Sequence, residues 1–294
     1  MSIDRHDNHG QASATVRMVA GGTPVELCSF ETVVEAVTQR LAEPGHVPLA
    51  LGSVNLDHIH HFRVGPDAAN HLDTQRSDLR WAFLADGAPI VSHAEKLTGR
   101  SWSRVTGSDL LPAIVDMAAA EGHTVGFLGG TSRMHERLRF ALRRSHPDLE
   151  VAGFWSPSAD ELADPAQSSR IAAQISAASV DVLVVGLGKP RQEMWISTYG
   201  LATGARLLLA FGAAADFMAG ESQRAPRFFQ DNGLEWFYRL ATEPRRLSRR
   251  YLLEGPRALM QLRHAHIEVV DDSPLFGRQD VATPTERSAL GGMP

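Results

Sequence analysis

Short apolar runs alternate with amphipathic stretches over most of the chain, and this alternation limits the fold more than any other feature. Six runs are rich in Leu, Val, Ala and Phe and mostly end in Gly or Asp: residues 48–53, 79–87, 123–130, 149–155, 180–188 and 205–212. Helical periodicity is found near residues 31–42, 108–121, 132–145, 159–178 and 189–202. Strands and helices that alternate with short links predict an α/β fold with a doubly wound, mostly parallel sheet.

The carboxyl ends of these predicted strands carry polar residues and glycines. They are Ser53, Asn55, Asp86, Gly129, Gly130, Gly186 and Gly188. Ligands of doubly wound sheets bind beyond the carboxyl ends of the strands. We therefore expect a binding site at this edge of the sheet.

The two ends of the sequence lack the periodicity of the middle. Residues 1–22 and 271–294 are polar and rich in turn residues, so we predict a flexible arm and a flexible tail. Residues 23–241 carry the alternating pattern and are predicted to form the α/β domain. Residues 242–270 are predicted to form a basic helical appendage.

Composition excludes several classes of protein. The net charge of −5 over 294 residues argues against a dedicated nucleic-acid binder. Cys28 is the single cysteine, so no internal disulfide can form and a reducing compartment is expected. The longest apolar run, residues 207–215, is far shorter than the roughly 18 residues that span a bilayer. The first residues lack the apolar core of a signal peptide, so we expect a cytoplasmic protein.

One basic segment interrupts this acidic chain. Residues 224–263 hold nine arginines and four acidic residues, a local charge of +5, so the other 254 residues sum to −10. A helix is predicted to start at residues 242–244, because Thr can cap a helix and Pro is tolerated in its first turn. Two interpretations stay open: a solvated basic face, or a surface element that approaches anionic lipid or phosphate.

Common nucleotide and nucleophile signatures are absent from the sequence. Gly188-Lys189 is followed by Pro190, so a Walker-type loop lacks the Ser or Thr that would hold magnesium. Arg191 stands where a dinucleotide-binding fingerprint needs its third glycine. The sequence has no Gly-x-Ser-x-Gly, and Cys28 lacks the flanking signature of a cysteine nucleophile.

The sequence also gives no sign of a metal site. It contains no Asp-x-Asp pair that could bridge a metal to a diphosphate. His58, His60 and His61 cluster, but no Cys or carboxylate set completes a site around them. We predict that no metal is bound.

Three features remain as candidates for chemistry. Asp86 ends an apolar strand before Gly87, where a partly desolvated carboxylate can act as a general base or simply close a turn. Gly129 and Gly130 lead from a strand into a helix, where backbone amides can approach phosphate, although Gly-Gly turns are common. Residues 186–193, GLGKPRQE, gather a cation, an amide and a carboxylate in a strand-to-helix loop.

Ten short motifs occur in a fixed order along the chain. They are SVN (53–55), ADG (85–87), RVTGSDL (104–110), FLGG (127–130), VLVVGLGKPRQE (182–193), DFMAG (216–220), RAP (224–226), GLEWFYRL (233–240), EPRRL (243–247) and RRY (249–251). In this order they resemble the WecG/TagA/CpsF glycosyltransferases, also called glycosyltransferase family 26, over about residues 53–251.

The resemblance implies a Rossmann-like catalytic domain over residues 23–241 and a membrane- and acceptor-binding appendage over 242–270. It implies inverting transfer of a hexose or N-acetylhexosamine, of the ManNAc, ManNAcA or glucose type. The donor would be a UDP-sugar and the acceptor a polyprenyl-diphosphate-linked sugar of cell-surface polysaccharide synthesis. Such an enzyme needs no cofactor and associates peripherally with the inner face of the cell membrane. The oligomeric state stays open, and a homo-oligomer is one option.

The resemblance also assigns roles to single residues. The catalytic base of the family corresponds to Asp86. The Thr-x-Asn block of the family corresponds to Ser53 and Asn55, with Ser in place of Thr. Arg104 and Gln192 correspond to polar residues near the reacting sugars.

Further roles concern the donor and the lipid. Asp216 corresponds to the residue expected to read the uracil. Gly129, Gly130, Gly188 and Lys189 complete the expected substrate-binding set. The arginines expected to contact the lipid diphosphate are Arg239, Arg246, Arg249 and Arg250.

One stretch departs from the family pattern, and two other functions stay open. Residues 210–216, AFGAAAD, have alanines where the family commonly has Gly and an aromatic residue, so the donor preference could differ. The first alternative is a non-catalytic, membrane-associated module that binds nucleotide sugars. The second is a nucleotide-dependent oxidoreductase or methyltransferase on a similar sheet.

Because no Asp-x-Asp is present, arginines and amides are the expected stabilisers of the leaving UDP, and transfer is predicted to be metal-independent.

Overall fold

A mixed, mostly parallel sheet organises the described part of the chain in this computed structural model. The description covers residues 15–43, 45, 47–62, 70, 72–74, 78–221, 225–226, 228–229, 235–242, 244–270 and 273–275. The strands are β1 (Thr15–Ala20), β2 (Thr23–Glu26), β3 (Leu49–Val54), β4 (Arg80–Ala85), β5 (Val125–Gly129), β6 (Val151–Trp155), β7 (Val182–Gly186), β8 (Leu207–Leu209) and β9 (His266–Val270). Their order is β6-β5-β7-β8-β3-β4-β2-β1-β9.

Strands β6 through β2 of that order pair in parallel, and β1 pairs antiparallel with both β2 and β9. The six predicted strands are confirmed as β3 to β8. They could be predicted because a parallel strand is covered on both faces and reads as a continuous apolar run. Every residue of β3 is buried, for example.

Helices connect the strands on both faces of the sheet. They are α1 (Phe30–Ala42), α2 (Leu56–Phe62), α3 (Ala88–Thr98), α4 (Gly107–Glu121), α5 (Ser132–Ser145), α6 (Ala159–Ala163), α7 (Pro165–Ala177), α8 (Arg191–Tyr199), α9 (Gly212–Met218), α10 (Glu235–Thr242), α11 (Pro244–Ser248) and α12 (Gly255–Gln261). A π-helical turn, Arg249–Glu254, joins α11 to α12. The α/β, doubly wound fold predicted from the sequence is confirmed.

Local chemistry sets several helix boundaries. The hydroxyls of Ser29, Thr106 and Thr131 cap α1, α4 and α5 by accepting a hydrogen bond from a backbone N–H of the first turn. The stretch predicted as one helix over residues 159–178 is divided into α6 and α7. Asp164 divides it because its side chain accepts from the backbone N–H of Ala166 and Pro165 starts α7.

Two apolar layers enclose the sheet. Along β4, Trp81, Phe83 and Ala85 pack into one layer, while Ala82 and Leu84 pack into the other. The first layer includes residues of α3, α7, α8 and α12, and the second includes residues of α1, α4, α5 and α9. This burial on both faces holds the carboxyl ends of the central strands in fixed relative positions.

The N-terminal prediction is corrected by β1. Residues 15–20, assigned to the flexible arm of residues 1–22, form a strand in which Met18 and Ala20 are fully buried. The alternation in this strand is short, and its burial depends on β9, about 250 residues away, with Met18 opposite Ile267. Residues 1–14 lie outside the described residues.

The C-terminal prediction is corrected in the same way. Within the predicted helical stretch 242–270, residues 266–270 form β9 rather than helix. Ser273, assigned to the flexible tail, is buried and its hydroxyl donates to the carboxylate of Glu26 at 3.0 Å. The carbonyl of Pro274 accepts a hydrogen bond from Arg40 at 3.0 Å. The remaining tail residues, 271–272 and 276–294, are not described.

Within the described ranges, none of the helices has both the length and the apolar character needed to cross a bilayer.

Candidate active site

A cavity of about 590 Å³ opens at the carboxyl edge of the central strands. The loops that follow β3, β4, β5, β7 and β8 all contribute to its lining, as expected for a doubly wound sheet. Ten residues singled out from the sequence lie together on its wall: Ser53, Asn55, Asp86, Arg104, Gly130, Gly186, Gly188, Lys189, Gln192 and Asp216.

Asp86 stands half-buried at the end of β4, with its backbone fixed. The N–H groups of Asp86 and Gly87 both donate to the carbonyl of Val54, each at 3.1 Å. The side-chain amide of Asn55 lies 3.5 Å from Oδ2 of Asp86. Asn55 is itself oriented, because its Oδ1 accepts from the backbone N–H of His58 at 3.2 Å and leaves Nδ2 toward Asp86. The carboxylate is thus positioned yet reachable from the cavity.

Lys189 lies at the base of the cavity in a nearly closed polar cluster. Its ammonium donates to the carbonyl of Ser53 at 2.5 Å and pairs with Oε1 of Glu193 at 3.1 Å. The Lys189 side chain is 10% exposed and that of Glu193 is fully buried. A buried charge is tolerated only with such partners, and the hydrogen bond from Lys189 to Ser53 fixes the loop after β7 against β3.

His58 completes this cluster from α2. Its Nδ1 lies 3.4 Å from the Lys189 ammonium, and its Nε2 lies 3.2 Å from the hydroxyl of Thr23. Because an ammonium can only donate, Nδ1 is the acceptor and Nε2 carries the proton. Burial lowers the pKa of His58 well below its usual range, and the charges of Lys189 and His61 lower it further. His58 is therefore a neutral structural histidine.

The two glycines after the Phe-Leu run have different positions. Gly130 lines the cavity, whereas Gly129 is not among the lining residues and packs against β7. At Gly129 the φ angle is +98°, and a Cβ would lie 2.4 Å from the carbonyl oxygen of Gly186. The Nε2 of His135 donates to the carbonyl of Gly129 at 2.6 Å, which fixes the turn.

Several helices begin at the cavity. Residues at or next to the N-termini of α3, α4, α5, α8 and α9 line it. Helix N-termini present unpaired N–H groups and a partial positive charge, which favour phosphate. The arrangement can therefore accept an anionic ligand at the same edge that holds Asp86.

The C-terminal segment, residues 235–264, contributes to one side of the cavity. Trp236 of α10 and Gly255 of α12 are lining residues. Of the four arginines expected at a lipid diphosphate, only the side chain of Arg249 is described; it is 82% exposed and donates to Glu254 at 3.0 Å. The side chains of Arg239, Arg246 and Arg250 lie outside the described part.

Several lining residues were not predicted from the sequence. They are Thr106, Ser108, Phe211, Phe217, Glu221 and Trp236. The signal was present for some of them, because Thr106, Ser108, Phe217 and Trp236 lie inside the ten quoted motifs. It gave no indication that their side chains would face the cavity.

Burial raises the pKa of the Cys28 thiol to about 12, with the charge of Glu26 as a second cause, so this thiol stays protonated. Among the described residues, no group of three or more His, Cys, Asp or Glu side chains is arranged to hold a metal ion.

Comparison with protein families gives one match. The family model described as the glycosyl transferase WecG/TagA/CpsF family matches residues 18–269. This match covers most of the chain, and the chain belongs to the WecG/TagA/CpsF family of glycosyltransferases. It is therefore a glycosyltransferase of cell-surface polysaccharide synthesis that uses a nucleotide-sugar donor and a sugar acceptor.

Proposed function

We propose that this family member is an inverting, metal-independent enzyme that transfers a hexose or N-acetylhexosamine from a UDP-sugar to a polyprenyl-diphosphate-linked sugar. The observation that carries the proposal is that one cavity joins Asp86 to a set of amides, a cation and helix N-termini. The donor sugar is of the ManNAc, ManNAcA or glucose type. The reaction takes place at the inner face of the cell membrane.

Asp86 acts as the general base in this proposal. Its carboxylate takes the proton of the acceptor hydroxyl while that oxygen bonds to the anomeric carbon from the face opposite UDP. The bond between the anomeric carbon and the UDP oxygen breaks, and its electron pair leaves with the diphosphate. One base suffices for inversion, and the Asn55 amide near Oδ2 of Asp86 helps to orient the carboxylate.

The leaving diphosphate is stabilised without a metal. Negative charge grows on UDP as the bond breaks, and oriented N–H groups and arginines can meet it without reorganisation. The helix N-termini around the cavity and Arg104 supply such groups. Asp216, on the same wall, is suited to accept hydrogen bonds from the uracil.

The lipid-linked acceptor approaches along the C-terminal segment. Leu252, Leu253, Leu259 and Met260 are 50–63% exposed in this segment, next to the exposed Arg249. Exposed apolar side chains beside arginines favour an anionic membrane surface. Because Gly255 of the same segment lines the cavity, a lipid held there would bring its diphosphate sugar to Asp86.

The test is turnover by the purified full chain. A panel of UDP-sugars with a short polyprenyl-diphosphate-sugar acceptor, read by mass spectrometry, should give one extended product and free UDP. Chiral analysis of the product should show inversion at the anomeric carbon. Liposome binding with no turnover on any pair would instead favour the non-catalytic module.

Metal independence has its own test. Turnover should be unchanged by EDTA, since the proposed stabilisers are protein groups. Loss of turnover in EDTA with recovery on adding Mn²⁺ would contradict this part of the proposal and leave the transfer itself intact.

A further inference from the structure

Gln192 lies at the start of α8 with its amide nitrogen fully engaged by the protein. Its Nε2 donates to the carbonyl of Ala210 at 2.8 Å and to Oε1 of Glu193 at 3.1 Å. An amide nitrogen carries two hydrogens, so both are used. Gln192 is 4% exposed, and it lines the cavity.

The orientation of this amide is dictated by its partners. A backbone carbonyl can only accept, and a carboxylate paired with a lysine also accepts, so the group facing them must be the NH2. The amide oxygen therefore points the other way. It accepts no hydrogen bond from the described residues, and it lies 3.3 Å from where a Cβ on Gly212 would be.

Glu193 is the residue that ties this amide to the rest of the site. Its Oε1 accepts from both Gln192 and Lys189, while its Oε2 is buried without a partner among the described residues. A fully buried carboxylate is costly, and the hydrogen-bond and ion-pair partners described for this one are two residues that line the cavity, Gln192 and Lys189. An acid at this position neutralises the buried Lys189 ammonium and at the same time accepts a hydrogen bond from the Gln192 amide.

We infer that Glu193 is a positioning residue that turns the Gln192 amide so that its oxygen faces the ligand. Gln192 then recognises a group that donates a hydrogen bond, a sugar hydroxyl in the reaction proposed above. This last step rests on the proposed function, whereas the orientation of the amide does not. Glu193 touches no ligand itself and acts through Gln192 and Lys189.

The orientation can be tested without any substrate. In protein labelled with ¹⁵N-glutamine, the Gln192 side chain is identified by its loss in Gln192→Glu. Both NH2 protons of Gln192 should exchange with water about tenfold more slowly than those of exposed glutamines, because two hydrogen bonds must open. Exchange as fast as that of exposed glutamines would overturn the inference, whatever the enzyme does with UDP-sugars.

Three variants test the part played by Glu193. Glu193→Leu keeps the volume but removes the acceptor, so it should speed exchange of the Gln192 NH2 and lower kcat/KM by about tenfold to a hundredfold. Glu193→Gln keeps one oxygen for both neighbours and should restore slow exchange and most of kcat/KM. Glu136→Leu, on the exposed face of α5, is the control and should change neither.

The outcomes separate the two proposals. Slow exchange in Glu193→Leu, or no recovery in Glu193→Gln, would show that Glu193 does not orient the amide. If Glu193→Leu does not fold, the wild-type protein and Glu193→Gln still test the inference through exchange. Failure of the wild-type protein to turn over any UDP-sugar would reject the proposed function but leave the exchange result meaningful.

Discussion

The cavity and the C-terminal segment, residues 235–264, hold their functional side chains in opposite ways. At the cavity, the Lys189 side chain is 10% exposed, Gln192 is 4% exposed, and each is bound by two or more protein groups. In the segment, the Arg249 side chain is 82% exposed, and Leu252 and Leu253 are 61% and 63% exposed. The side chains of the cavity are thus fixed by burial, whereas these side chains of the C-terminal segment are exposed to solvent.

This difference matches two different tasks. Bond making needs groups held within a fraction of an ångström, which only a packed core provides. Contact with a membrane surface needs exposed apolar and basic side chains and tolerates their motion. We therefore expect substitutions in the cavity to change turnover and substitutions in the segment to change membrane binding.

The largest effect is expected for Asp86→Asn. The amide keeps the size of the side chain but cannot take a proton, so kcat should fall by about 10²–10⁴-fold. Binding of UDP, measured by calorimetry, should stay within a fewfold of the unmodified protein. Asp148→Asn, at an exposed position away from the cavity, is the matched control. Near-normal turnover in Asp86→Asn would show that another residue is the general base.

The second-largest effect is expected on membrane binding by the C-terminal segment. Replacing both Leu252 and Leu253 with Asp should weaken partition onto anionic liposomes by about 100-fold. Two apolar contacts with the membrane are lost, and the two added negative charges are repelled by the anionic surface. Turnover of a short, water-soluble acceptor should be preserved. The double variant of Leu97 and Phe140 to Asp removes two exposed apolar residues elsewhere. Equal loss of partition in that control would contradict the assignment of the membrane surface.

Much of the cavity could be predicted because it is built from local sequence. Each central strand is a continuous apolar run, and the polar residue that ends it is read directly from the chain. Asn55 and Asp86 follow β3 and β4 in this way, and those strands are neighbours in the sheet. Parallel neighbours bring their carboxyl ends together, so the sequence already places these two side chains side by side.

The remainder depends on contacts between distant parts of the chain. Strands β1, β2 and β9 were not predicted, because each is short and depends on pairing with other strands: β1 with β2 and β9, and β2 also with β4. Glu193 gave no signal of burial either, since a charged residue in the first turn of a helix is ordinarily exposed. Only the packing of α8 against the sheet reveals that this carboxylate is enclosed with Lys189.

Replacing His58 near the cavity and His264 in the C-terminal segment should affect the pH dependence of stability differently. The pKa of His58 is lowered in the folded protein, so below about pH 6.5 the unfolded chain binds a proton that the folded chain does not. Stability is therefore lost as the pH falls below that value, by up to about 1.4 kcal/mol per pH unit from this group. His58→Gln should flatten the urea-unfolding profile between pH 6.5 and 5. The exposed His264 of the C-terminal segment provides the control, and His264→Gln should leave the profile unchanged.

The smallest effect is expected where the two regions meet. Glu254 of the π-helical turn accepts from Arg249 at 3.0 Å, and its Oε1 lies 3.8 Å from Nε2 of His60 on α2. Partly exposed ion pairs contribute about 0.2–1 kcal/mol, so Glu254→Gln should speed amide exchange in α12 by no more than about fivefold. Glu268→Gln, at a half-buried position of the edge strand β9, is the control. Turnover should change little in either variant, because the buried Ala258 and Leu262 still fix α12 to the body. A tenfold loss of turnover in Glu254→Gln would mean that the segment helps to shape the catalytic cavity, and the separation of the two tasks would then fail.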